Sequence, residues 1–138
     1  MIVDTSVIVA YMNAGDTHHA AVAAWMDEVP DDLITTPLVL AEVDHLVATR
    51  GGVASLRALH ADLAAGAYVI DWWPGAIVPM ARVAARYSDC GLGLTDASLV
   101  VLADRLGTIE IATLDERHFR AVAPLVGGDA FRLLPFDR

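Results

Sequence analysis

The strongest constraint on this chain is an alternation. Short apolar or β-branched runs, "MIV" at 1–3, "LITT" at 33–36, "AYVIDW" at 67–72, "IEIAT" at 109–113 and "AFRLLPF" at 130–136, are separated by stretches with helical spacing. Strands joined through helices favour parallel pairing, and a parallel sheet must be covered on both faces. The spacing predicts helices from Thr5 to Met12, over 17–29 with Asp16 or Thr17 as cap, from Pro37 through "PLVLAEVDHLVAT", over 53–65 and over 76–87. A further helix, "DASLVVLADRL", is expected to be capped by Thr95 and ended by Gly107, and "DERHFRAV" reads as a short helix or turn. "NAGD", "VPDD" and "YSDCGLGL" are breaks, and Pro135 limits the last strand to a sheet edge. No internal repeat or linker interrupts the pattern, so one domain over 1–138 is expected, long enough to bury a core.

Charge removes several function classes. All nine basic residues are arginine, against eighteen acids, and the formal net charge is −9. Without lysine there is neither a Walker A loop nor a Schiff-base enzyme. Bulk acidity argues against non-specific nucleic-acid binding, yet a metal-dependent nuclease stays open because bound divalent ions reverse the local field. The chain is 56% hydrophobic, which excludes disorder and suggests that part of its surface is covered by a partner or a second copy. No apolar run approaches the ~20 residues needed to span a bilayer. The start lacks a basic segment and Asp4 interrupts its apolar stretch, so no signal peptide is expected. A single cysteine, Cys90, cannot form an internal disulfide and is read as structural, which fits a reducing cytoplasm.

Four acids stand where acids are costly. Asp4 ends the first strand and Asp115 follows "IEIAT"; ligands of open parallel sheets bind beyond such strand ends. Asp96 opens a helix, and Glu42 lies mid-helix on a face shared with Leu38, Val39 and Leu46 that reads as buried. Singly, these are an N-cap, a first-turn acid, an Asx-turn residue and half of an ion pair. Together, converging carboxylates without lysine would repel and resist ionisation, a cost that Mg²⁺ or Mn²⁺ removes.

The stretches "IVDTSVIVAY", "LITTPLVLAEVDHLV", "LGLTDASLVVLADRLG" and "IATLDERHF" resemble, in order and spacing, those of the PIN-domain family, and specifically VapC-type toxin ribonucleases of bacterial toxin–antitoxin pairs. The resemblance implies a three-layer α/β/α sandwich around a mainly parallel sheet. It implies that Asp4, Glu42, Asp96 and Asp115 hold Mg²⁺ or Mn²⁺, with the hydroxyls of Thr5, Ser6 and Thr113 beside them. It implies endoribonuclease cleavage and restraint by a small antitoxin seated against the early helices; the high apolar fraction, with apolar helices at 17–29, 37–49 and 53–65, adds the expectation of a homodimer. Asp44 and Asp89 are extra acids outside the pattern, and the "WW" at 72–73 has no place in it.

Other residues are less specific. Arg117 and Arg120, with Arg82 and Arg86, are candidate RNA contacts, since the planar guanidinium suits phosphate. His118, three residues after Asp115, is within reach of a substrate there but reads first as a packing or surface histidine; His18 and His19 read as solvated helix surface, and Trp25, Trp72 and Trp73, which could stack bases, as core or interface packing. Two rival functions remain at this level. A strand-end-aspartate phosphatase usually wants a lysine, and its dehalogenase form a second aspartate where Ser6 stands. A catalytically silent PIN-like binding module is opposed by the intact acid set.

Overall fold

The computed structural model describes residues 1–30 and 32–137. Five parallel strands, β1 (Ile2–Val3), β2 (Ile34–Thr35), β3 (Val69–Ile70), β4 (Glu110–Ala112) and β5 (Arg132–Leu134), lie in the order β3-β2-β1-β4-β5. The helices are α1 (Thr5–Met12), α2 (His19–Glu28), α3 (Pro37–Arg50), α4 (Gly52–Ala64), α5 (Ile77–Arg86), α6 (Leu94–Leu106) and α7 (Glu116–Ala121). The expected alternation and the parallel sheet are therefore present. The break expected at "VPDD" includes Asp31, which lies outside the described residues.

β1 is central because both of its residues are apolar and fully covered, Ile2 at 1% and Val3 at 0% exposure. Its register pairs Ile2 with Ile34 on one side and with Ile111 on the other, and Val3 with Ala112. α6 runs through the interior with Ala97, Leu99, Val100, Val101, Leu102 and Ala103 all buried. A helix that is apolar on nearly every side is a core helix. β3 is shorter than "AYVIDW" suggests and both of its residues are exposed, as suits an edge strand, while its neighbours Tyr68 and Trp72 pack against the core.

Two local expectations change. α6 starts two residues earlier than expected, with Gly93 as N-cap and no side-chain cap. Thr95 lies inside the first turn, where its carbonyl accepts from Ser98 Oγ at 2.6 Å. Likewise neither Asp16 nor Thr17 is the N-cap of α2; His18 is, but Asp16 Oδ1 accepts from the His18 amide at 2.8 Å and still holds the turn. Thr36 does cap α3, as the Pro37 start implies, and its Oγ1 lies 2.8 Å from Ser98 Oγ. That buried hydroxyl pair ties the start of α3 to α6.

Candidate functional site

Parallel strands put all their carboxyl ends on one edge, and β1 and β4 end there side by side. The residue after β1 is Asp4, at 4% exposure the N-cap of α1. Its Oδ1 accepts from the Thr5 amide at 2.7 Å. Its Oδ2 accepts from Ser6 Oγ at 2.7 Å and from Thr113 Oγ1 at 2.8 Å. Each hydroxyl has one proton, so both are spent on Asp4 and both oxygens turn acceptor elsewhere. Ser6 Oγ receives the Leu114 amide at 2.9 Å, and Thr113 Oγ1 receives the Asp115 amide at 3.0 Å. Sequence neighbours of Asp4 and of Asp115 are thereby knitted into one unit.

Asp115 is the N-cap of α7, its Oδ1 accepting from the His118 amide at 3.1 Å. That turn brings the His118 ring back over the edge. His118 Nδ1 lies 3.0 Å from Asp115 Oδ2 and 3.0 Å from Asp96 Oδ2, although it is aligned for a hydrogen bond with neither. Asp96 reaches the same place from the first turn of α6, with its side chain 17% exposed. Burial pushes the Asp96 carboxyl up to about 6, and the Asp4 charge adds to this while His118 opposes it. Burial also raises Asp4 above the ordinary carboxylate range, against the pull of its hydroxyl and amide donors.

Glu42 differs from the expectation. The buried stripe of α3 is Val39, Val43 and Val47, and Glu42 stands beside it, exposed. The helical offsets that group it with Leu38, Val39 and Leu46 define a wide face, and only one side of that face meets the core. Its Oε2 nevertheless accepts from Thr5 Oγ1, which connects it to the residue after Asp4. The four acids thus reach one edge from four elements. Among the described residues, no three acidic, histidine or cysteine side chains are gathered tightly enough to form a ready metal cage.

The donor set fits a hard divalent cation. A carboxylate offers about four lone-pair directions. Asp4 uses three of them on protein donors. No arginine bridges to Asp4, Asp96 or Asp115 among the described residues; the nitrogen beside Asp96 and Asp115 is that of the His118 ring. All remaining donors are oxygens, the preference of Mg²⁺ and Mn²⁺.

The other candidates sort by their contacts. Arg120 is held by Glu116 at 3.0 Å and by both oxygens of Asp137 at 2.6 and 2.7 Å, which occupies its guanidinium. Arg117 is exposed on α7. Asp44 faces His60 at 2.6 Å and Asp89 is exposed in the turn before α6, so neither joins the acid edge. Trp25 is core at 4% exposure, while Trp73 is half-buried beneath the Arg105 guanidinium, 4.4 Å from the ring centre. His118 is what the sequence reading set aside. Its signal was the spacing Asp115–x–x–His118, because an N-cap acid and the residue three later share one turn.

Comparison with known proteins gives the family and the fold. The PIN domain family matches residues 1–124. The chain is 44% identical over 136 residues to Ribonuclease VapC26 of Mycobacterium tuberculosis, covering 98% of this chain and 100% of the relative. The fold resembles the crystal structure of Mycobacterium tuberculosis VapC20, described as a Sarcin-Ricin loop cleaving toxin, at a TM-score of 0.78 and 20% identity over 90% of this chain and 97% of that one. It also resembles FitAcB of Neisseria gonorrhoeae, at a TM-score of 0.62 and 21% identity over 86% of this chain and 89% of that one. By its sequence over nearly its whole length, and by a strand order that brings acids from β1, α3, α6 and the end of β4 to one edge, the chain belongs to the PIN-domain family and stands with its VapC members.

Proposed function

We propose that this protein is the toxin of a toxin–antitoxin pair, a Mg²⁺- or Mn²⁺-dependent endoribonuclease working in the cytoplasm. The observation that carries the reading is a buried-edge cluster of Asp4, Asp96 and Asp115 without an arginine counter-ion, in a chain 44% identical to a ribonuclease. Asp4 and Asp96 would hold the cation, with Asp115 and Glu42 completing the set. When bound, a divalent ion lowers the pKa of a water and offsets charge on the phosphodiester.

The chain's own residues prepare that chemistry. Ser6 and Thr113 fix the rotamer of Asp4 and keep its Oδ2 supplied with two protons. Thr5 holds Glu42 at the rim, where an exposed carboxylate can orient an attacking water. His118 Nδ1 stands 3.0 Å from both Asp96 and Asp115 and keeps the two carboxylates on either side of one ring. Arg117, exposed on the helix that Asp115 caps, is the arginine of α7 left open to an RNA phosphate, since Arg120 is held by Glu116 and Asp137. The antitoxin and a second copy are the expected protein partners, in keeping with exposed apolar side chains such as Val53, Ile77, Val78 and Leu94.

The test is cleavage of a fluorogenic RNA by the purified protein. Cleavage is expected with Mg²⁺ or Mn²⁺, to be weak with Ca²⁺ and to be lost in chelator. Undiminished cleavage in excess chelator would overturn the metal role, and no cleavage of any RNA under any metal would overturn the activity.

A further inference from the structure

A cleft of about 230 Å³ opens beside the acid edge, lined by His18, Ala21 and Ala24 of the α2 region, by Leu114, and by Pro135 and Phe136 after β5. It neighbours the site through Leu114, whose amide bonds Ser6 Oγ, the same hydroxyl that donates to Asp4. Thr113 and Asp115 flank Leu114 in sequence.

The cleft displays an aromatic ring. Phe136 is 43% exposed. Its ring centre is 6.2 Å from that of His18 at an interplanar angle of 88°, so at least one face of the phenyl ring is left uncovered by the histidine. Exposed aromatics near a chain end are ordinarily mobile. This one is bracketed by a lock. The next residue, Asp137, takes both nitrogens of Arg120, and its Oδ2 also accepts from the Leu133 amide at 2.8 Å. The Asp137 amide donates to Leu133 O at 2.8 Å, and Arg132 Nε donates to Asp137 O at 2.7 Å. Arg120 belongs to α7, the helix capped by the site residue Asp115, so the lock fixes Phe136 relative to the acids. A held, half-exposed ring beside an anion-processing site suits a base that stacks, because single-stranded RNA is recognised largely by stacking on aromatic side chains.

We propose that Phe136, with His18 and Leu114, forms a stacking subsite for the nucleobase next to the phosphate held at the acid edge. This rests on the ribonuclease reading for its geometry but is tested by binding alone. The probe is an eight-nucleotide RNA carrying 2-aminopurine at one internal position, titrated in Ca²⁺ so that cleavage is slow. The parent should quench the probe, and Phe136→Ala should weaken binding about 5–100-fold and lose the quench, in line with the worth of one stacked base. Phe136→Trp should restore both. Phe136→Leu, which keeps apolar bulk without a π face, should not restore the quench. Melting curves show that each variant is folded.

Equal affinity and equal quenching by the parent and Phe136→Ala would overturn the proposal, as would a parent that binds no RNA. If light scattering shows a dimer that Phe136→Ala dissolves, while RNA affinity is unchanged, the cleft belongs to a second copy and the proposal also falls. Phe136-dependent quenching without any Mg²⁺-supported cleavage would leave the stacking subsite standing and remove the ribonuclease reading.

Discussion

Two regions of this molecule collect carboxylates and treat them in opposite ways. At the C-terminal lock, Asp137 receives a two-pronged guanidinium from Arg120, which holds its carboxyl down to about 2. At the acid edge, burial drives Asp96 up to about 6, with Asp4 and Asp115 adding repulsion and His118 and a hydrogen bond to the Gly93 backbone opposing them. The residue types are the same. The difference is whether the fold supplies a cation. Where it does, the charge is used up in holding a turn; where it does not, the charge is left to be satisfied from outside. A buried acid whose pKa is raised by burial and by neighbouring acids, as Asp96 is, is therefore better evidence of a site than the mere presence of acids.

The comparison breaks most severely at Asp96. Asp96→Asn should reduce RNA cleavage by more than ~100-fold, because residues that merely orient a metal ligand are already worth about 10–100-fold. A fluorogenic assay with Mg²⁺ reads this, and near-parent activity would make Asp96 an ordinary helix-start acid. Thr113→Val comes next. It removes one of the two hydroxyl donors to Asp4 and leaves the Asp115 amide without its acceptor. Activity should fall about 10–100-fold, and Thr113→Ser should recover most of it.

The two regions should also show opposite pH limbs. Asp96 has a folded pKa of about 6, above the unfolded value of about 3.9. In the metal-free protein its penalty is full above about 6, shrinks as pH falls through that value and is gone below the unfolded pKa. Asp96→Asn should hence melt higher than the parent at pH 7, by roughly 4 °C for about 1 kcal/mol once solvent screening is allowed for, and the two curves should converge near pH 4. Asp137 works the other way. Its folded pKa of about 2 contributes stability that is present above the unfolded value and lost as pH falls through about 2. The pair is exposed, so Asp137→Asn should lower the melting temperature by roughly 2 °C or less at pH 7. Thermal scans across pH 3–8 for both variants measure the contrast, and a common direction in the two would refute it.

Much of this edge was legible because strand ends and helix starts are written locally. "IVDTS" and "IATLD" each carry an apolar strand, a turn and an acid within five residues, and the structure joins them through the hydroxyls of Ser6 and Thr113. What failed was set by distant partners. Glu42 was expected on a buried face, yet the side of α3 that meets the core is fixed by where α1 and α6 lie, not by its own spacing. Thr95 was expected as the cap of α6, but Gly93 provides the extended residue before the helix. His118 could not be placed between Asp96 and Asp115 until α6 and α7 were known to meet. The lock at Asp137 was equally hidden, since it depends on Arg120 reaching across 17 residues.

The insertion of β4 beside β1 has a consequence for timing. Asp4 and its donor Thr113 are 109 residues apart in the chain. On a ribosome adding about 5–20 residues per second, the aspartate emerges about 5–20 s before the hydroxyl that orients it. The growing polypeptide carries its first acid through that whole interval without Asp115 or His118, and through most of it without Asp96. The machinery that translates the message is thus exposed to an unfinished chain that cannot yet cut, and the early helices α1 to α4 are synthesised while the edge is still open.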